Sequence, residues 1–257
     1  MPTFLNASRP LLTTIISVHE PEQAREYIRM ALEDNTDAFG IYWQEILPKY
    51  RTKEAMREVF GWMGGKPIYI TDYIRGSVMP EQTEEERAEE LLMSLECGAT
   101  LLDIRGDMFD PTDGEFTTDP TAIRRQKELI RQIHALGGEV LMSTHALRYL
   151  PADRVLEIAQ AQQERGADIA KVVTDANSQE ELDDNFMISV RLHQTLHIPT
   201  LFLCNGTHCA LHRRVAPMLN PGAPFLCKQE RNPDAPGSQP TLPQGKAILR
   251  AMGYDIA

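Results

Sequence analysis

Two stretches of this chain put a reactive side chain inside an apolar, strand-like run. Residues 139–145 read Glu-Val-Leu-Met-Ser-Thr-His and end on His145, while residues 166–173 read Gly-Ala-Asp-Ile-Ala-Lys-Val-Val and carry Lys171 among aliphatic neighbours. A lysine in such a run is costly unless it is neutral or paired. A buried amine beside a histidine is the equipment of an imine-forming enzyme. The protonated imine is an electron sink that acidifies the adjacent C–H, and an imidazole takes that proton near neutral pH and later returns it. Loss of a β-hydroxyl then gives an enone without metal or organic cofactor. Taken singly, Lys171 also reads as a strand-end lysine in a salt bridge, and His145 as a hydrogen-bonded core histidine. Together they are more specific, because adjacent parallel strands lie about 5 Å apart and both side chains can reach one substrate atom.

The elements that must position this pair alternate along the whole chain. Apolar runs predict strands over Leu11–Ser17, Ala38–Trp43, Pro67–Thr71, Thr100–Arg105, Val140–Ser143, Ile169–Val173, Pro199–Cys204 and Pro224–Cys227. Helical patterns follow at about Pro21–Asp34, Thr52–Met63, Glu84–Glu96, Pro120–Ala135, Pro151–Gly166, Ser178–Leu196, His212–Leu219 and Pro243–Met252. Ser178 and Glu181 have the spacing of a capping box. Buried strands in strict alternation with helices predict a parallel sheet, and eight such units predict an α/β fold of the (β/α)8 TIM-barrel type, one domain over residues 1–257. An open doubly wound sheet is the alternative. In a barrel the chemistry gathers where strands end. That singles out Tyr42, Gln44, Asp72, Tyr73, Asp103, Arg105, Ser143, His145, Lys171 and Asn205, with Arg213 opening the helix after the seventh strand. The Pro/Gly-rich stretch from Asn232 to Pro243 would be a substrate-covering loop after the eighth strand.

The 257 residues carry a net charge of −11, which argues against nucleic acid as a partner but allows a locally positive pocket for a small anion. No apolar run of about 18 residues predicts a membrane helix, and the N-terminus lacks the pattern of a secretory signal. With four cysteines that form no dense framework, these features predict a cytoplasmic protein. Cys204, His208, Cys209 and His212 crowd one segment, but their spacing matches no standard zinc pattern, so no metal is expected. The acidic run Glu81–Glu90 reads as a solvated helix face.

The strings Leu-Met-Ser-Thr-His at 141–145 and Gly-Ala-Asp-Ile-Ala-Lys at 166–171 resemble the signatures of type I 3-dehydroquinate dehydratases, which read close to VMSNH and GADIPKI. The resemblance implies that Lys171 forms a Schiff base with the ketone of 3-dehydroquinate, that His145 moves the protons, and that Arg213 binds the substrate carboxylate. It implies a homodimer and no cofactor. In the first half the chain departs from the pattern. Where the family has EWR on the second strand, Tyr42 and Gln44 flank Trp43. Where it has FTFR on the third, the arginine is lost to Tyr73 or displaced to Arg75. Where it has DLE on the fourth, with a glutamate that pairs with the histidine, Arg105 stands instead. Ala235 to Gln239 resembles the family's SAPGQ with one inserted residue, so Gln239 stands for the glutamine, with Asp234 at the serine position or Ser238 replacing it. A second register would use Thr241 and Gln244.

These departures point to altered substrate recognition. Arg105 would place a cation beside His145 and favour the neutral amine of Lys171, or would hold an anionic group of a related carboxylated cyclic keto acid. Two other readings stay open: an aldolase-type lyase using the same covalent step, and a silent homologue that only binds a metabolite.

Overall fold

A computed structural model of the chain describes residues 3–74, 82–219, 222–229 and 238–256. Among these residues, strands and helices alternate. They are β1 (Leu11–Ile16), α1 (Pro21–Glu33), β2 (Ala38–Tyr42), α2 (Lys53–Trp62), β3 (Ile68–Thr71), α3 (Glu84–Cys97), β4 (Leu101–Arg105) and α4 (Pro120–Ala135). Then come β5 (Glu139–His145), α5 (Ala152–Arg165), β6 (Ile169–Asp175), α6 (Gln179–Thr195), β7 (Thr200–Asn205), α7 (Cys209–Leu219), β8 (Pro224–Lys228) and α8 (Leu242–Ala251). The strands form one sheet in the order β7-β6-β5-β4-β3-β2-β1-β8. Strand order, parallel pairing and alternation are those of a (β/α)8 TIM barrel.

The chain divides into two compact units. One is built mainly on Leu11–Leu102 and Phe225–Ala257. Its strands pair in parallel through Ile15↔Gly40 and Gly40↔Tyr69. Its helices turn apolar stripes inward, Ala24, Ile28 and Ala31 on α1 and Met56, Val59 and Phe60 on α2, each at the three- and four-residue spacing of one helical face. Local chemistry sets the helix ends. Thr52 caps α2, Thr83 and Glu86 form a capping box on α3, and Gly98 closes α3 at φ 113°, a left-handed conformation that suits glycine.

The other unit is built mainly on Asp103–Pro224 and holds β5, β6 and β7. Val155, Ile158 and Ala159 of α5, Ile188 and Leu192 of α6, Val172 and Phe202 bury a common apolar core. In this unit β5 and β6 run past their predicted ends. The β5–β6 ladder continues through His145↔Val173, and the N–H of Ala146 still donates to the Val173 carbonyl at 2.9 Å, so His145 lies on the strand. At α6 the predicted capping box is half formed. Ser178 accepts from the N–H of Glu181, but the Glu181 carboxylate turns to the N–H of Asn177 at 2.7 Å.

Candidate active site

Ser143 of β5 stands directly beside Lys171 of β6 in the parallel register. The hydroxyl of Thr144 accepts from the Gln162 amide of α5 at 3.2 Å, which fixes Thr144 on the helix side of the sheet. Alternation then turns Ser143 and His145 to the opposite face, about 7 Å apart along the strand. On that face Asp103 of β4 joins them. Its Oδ1 accepts from the Ser143 hydroxyl at 2.5 Å, and its Oδ2 lies 3.2 Å from Lys171 Nζ. Lys171 is 5% exposed and Asp103 2%. The cost of a buried lysine is thus offset by a buried carboxylate that is itself hydrogen-bonded on its second oxygen. Of the two escapes open to Lys171 in the sequence, this is pairing.

His145 has a carboxylate partner as well, and it does not come from a strand. Glu115 lies in the long loop between β4 and α4. Its Oε2 accepts from His145 Nδ1 at 2.7 Å and from the His145 backbone N–H at 3.1 Å. The sequence left His145 without a glutamate once Arg105 stood at the end of β4, and Glu115 supplies a carboxylate from the loop. Arg105 is buried, and its Nε donates to Asp107 Oδ1 at 3.0 Å.

The loop is held from beneath. Arg165, at the end of α5, donates to the carbonyls of Gly106 and Thr117 at 2.8 and 2.7 Å and to Gln126 Oε1 at 2.9 Å. Gln126 of α4 in turn donates to the carbonyls of Gly106 and Met108. Asp107 accepts from the N–H of Thr112 at 2.8 Å. The chain can fold back this tightly because residue 106 is glycine. A Cβ there would lie 2.7 Å from Thr144 Oγ1 and 2.8 Å from the Glu115 carbonyl oxygen. Gly106→Ala is therefore expected to cost about 1–3 kcal/mol, the usual range for overpacking. Urea denaturation will read it, and an unchanged midpoint would show that the loop yields freely.

Arg213 is 7% exposed. It donates to the Cys204 carbonyl at 2.7 Å and to Asn205 Oδ1 at 2.5 Å, so its guanidinium is fixed at the end of β7. It does not open its helix as the sequence suggested. The helix α7 begins at Cys209, which places Arg213 in the second turn.

In the Cys/His cluster the two cysteines adjoin each other, while the two histidines bond hydroxyls outside it. Cys204 Sγ points at the Cys209 carbonyl at 3.9 Å, and burial pushes its thiol up to about 12. His208 bonds the Thr207 hydroxyl. His212 is fully buried, 3.0 Å from the Ser189 hydroxyl, with the rings of Phe186 and Phe202 at 5.2 and 5.4 Å. Burial above all, with a smaller push from the charge of Arg213 and against a hydrogen bond at Asn185, lowers its pKa from 6.5 to about 4. The unfolded chain therefore binds a proton at His212 that the folded chain refuses. The stability this confers is complete above pH 6.5 and is lost as pH falls through 4. Between pH 7 and pH 5 the loss is about 2 kcal/mol. Urea titrations at both values should show a drop smaller by that amount in His212→Leu, and an equal drop in both proteins would refute the assignment.

In the first unit, the predicted strand-end residues occupy varied positions. Tyr42 ends β2 and is half-buried. Gln44 is not on a strand but in a short 3-10 turn, Trp43–Glu45, where its Oε1 accepts from the Thr71 hydroxyl at 2.9 Å. Tyr73 is half-buried, and its carbonyl accepts from Arg87 at 2.8 Å. Beside it Asp72 is buried between Arg51, at 2.6 Å, and Arg87, at 3.3 Å. The end of β3 thus has two arginines delivered from elsewhere in the chain. Ser238 is half-buried and Gln239 buried, with no hydrogen-bond partner for Gln239 Oε1 among the described residues. Thr241 and Gln244, the second register, are engaged as the capping box of α8. Arg75 and Asp234 lie outside the described residues.

A profile described as Type I 3-dehydroquinase matches residues 75–255. The chain belongs to the type I 3-dehydroquinase family. No curated protein matches it in sequence. Among solved structures it is similar to 3-dehydroquinate dehydratase from Geobacillus kaustophilus HTA426, with a TM-score of 0.82 at 14% identity over 98% of this chain and 95% of that one. It is also similar to type I 3-dehydroquinate dehydratase from Clostridium difficile with covalently modified comenic acid, with a TM-score of 0.82 at 10% identity over 96% and 94%. The enzyme from Enterococcus faecalis gives a TM-score of 0.76 at 12% identity over 98% of both chains. At these identities the likeness is one of fold.

In this chain the carboxylate that meets His145 comes from the loop after β4, and the one that meets Lys171 comes from β4 itself. Sequence reasoning reached Lys171, His145 and Asp103 as strand-end residues. It gave Asp103 no role and missed Glu115 altogether. The one available signal for Glu115 was a carboxylate in a long polar loop that leaves β4 next to β5.

Proposed function

We propose that this type I 3-dehydroquinase family member is an imine-forming dehydratase of a carboxylated cyclic keto acid, 3-dehydroquinate or a close relative. The observation that carries the reading is the buried Lys171 amine, held by Asp103 on one face of the sheet with His145 on the neighbouring strand. Lys171 Nζ adds to the substrate ketone and water leaves, forming a protonated imine. Asp103 stays beside that cation as its counter-charge, where a low-dielectric setting makes the attraction strong. With Nδ1–H committed to Glu115, His145 carries its basic lone pair on Nε2 and takes the proton from the carbon next to the imine carbon. The electron pair moves into an enamine. It returns to expel the hydroxyl on the next carbon, which leaves as water with the proton that His145 gives back. Hydrolysis of the conjugated imine releases the enone and restores the amine, so the net change is loss of one water.

Arg213 supports the choice of an anionic substrate. Its guanidinium is positioned by two hydrogen bonds before any ligand arrives, so binding a carboxylate requires little further ordering. Mixing the protein with 3-dehydroquinate and following the ultraviolet absorbance of the conjugated product tests the reading. Growth of that absorbance supports it. A flat trace together with no covalent species on Lys171 would overturn it.

A further inference from the structure

We infer that Glu115, in the loop after β4, is the positioning residue for His145. The inference rests on the function proposed above and deepens it.

Three observations carry it. Glu115 is 4% exposed, and one oxygen of its carboxylate meets both the ring Nδ1 and the backbone N–H of His145, so ring and strand are fixed by the same atom. Glu115 holds a left-handed backbone, φ 52°, which is uncommon for a non-glycine residue and is held here by its surroundings. The Thr144 hydroxyl donates to the Glu115 carbonyl at 3.1 Å, Gln162 bonds that same hydroxyl, and Arg165 fixes the loop at both ends through Gly106 and Thr117. Third, Arg105 is matched by Asp107 two residues on. An arginine at the end of β4 therefore comes with its own carboxylate, and the carboxylate for the histidine comes from Glu115.

Nitrogen NMR of the histidine rings tests this without any substrate, with His145→Gln assigning the signal among the seven histidines. The wild type should show His145 as the Nδ1–H tautomer. In Glu115→Ala the signal should move toward Nε2–H, the tautomer that isolated imidazole favours, and Glu115→Gln, which keeps an acceptor, should restore part of the shift. With 3-dehydroquinate, Glu115→Ala should lower kcat by roughly 10- to 100-fold, a share of the usual general acid–base contribution. Borohydride should still trap substrate on Lys171. An Nε2–H tautomer in the wild type, the same tautomer in Glu115→Ala, or a tautomer shift with kcat unchanged would each overturn the inference. If the wild type neither turns over nor traps 3-dehydroquinate, the functional reading fails, and the tautomer comparison alone still decides the role of Glu115.

Discussion

Lys171→Arg will abolish turnover and leave the fold in place. The arginine keeps a cation opposite Asp103, so the buried pair survives. Its guanidinium is never neutral in a protein and cannot add to a ketone. Lys171→Met makes a less clean comparison. It strands the Asp103 carboxylate at 2% exposure, and breaking a buried pair by removing one partner costs about 3–5 kcal/mol. Activity lost in the methionine variant alone would reflect stability as much as chemistry. The arginine variant separates the two: its urea midpoint should stay near the wild-type value while product absorbance disappears. Residual turnover within tenfold of wild type would mean that no imine on Lys171 is involved.

His145→Gln will stop the reaction one step later. Nothing in imine formation requires the imidazole to be covalently engaged, so Lys171 should still capture the keto acid. The proton next to the imine carbon then has no base, and the hydroxyl has no acid to leave with. General acid–base catalysis contributes about 10²- to 10⁴-fold, and kcat should fall by that amount. The reduced adduct on Lys171 should carry the intact substrate and not its dehydrated form, a difference of one water by mass. A variant that traps only the dehydrated species would assign the proton transfer to another group.

Much of this molecule was legible from local chemistry. Alternating apolar runs and helical stripes gave the barrel, because each strand is buried on both faces and each helix on one. Gly98 and Gly166 close α3 and α5 in the left-handed conformation that glycine adopts readily, with φ of 113° and 104°. Lys171 and His145 stood out because a reactive polar group in an apolar strand needs a reason. Other features were hidden because they depend on residues far apart in sequence. The position of Glu115 is set by Arg165 and Gln126, on two different helices, and by the close approach that Gly106 allows. The pairing of Arg105 with Asp107 requires the chain to turn back just after β4. Gln44 lies in a 3-10 turn that the preceding apolar run disguised as strand. The Cys/His segment, whose spacing fits no standard zinc pattern, sets Cys204 against the Cys209 carbonyl, His208 against Thr207 and His212 against Ser189, pairings that run between β7, the turn after it, α6 and α7.

The central claim is a covalent bond between Lys171 and a keto acid. Its most direct test is intact-mass spectrometry after mixing the protein with 3-dehydroquinate and borohydride, followed by peptide mapping, with Lys171→Arg treated in parallel. One reduced adduct per chain is expected in the wild type, located on the peptide that carries Lys171, and none in the arginine variant. An unmodified wild type, an adduct on a different lysine, or equal labelling of both proteins would contradict it.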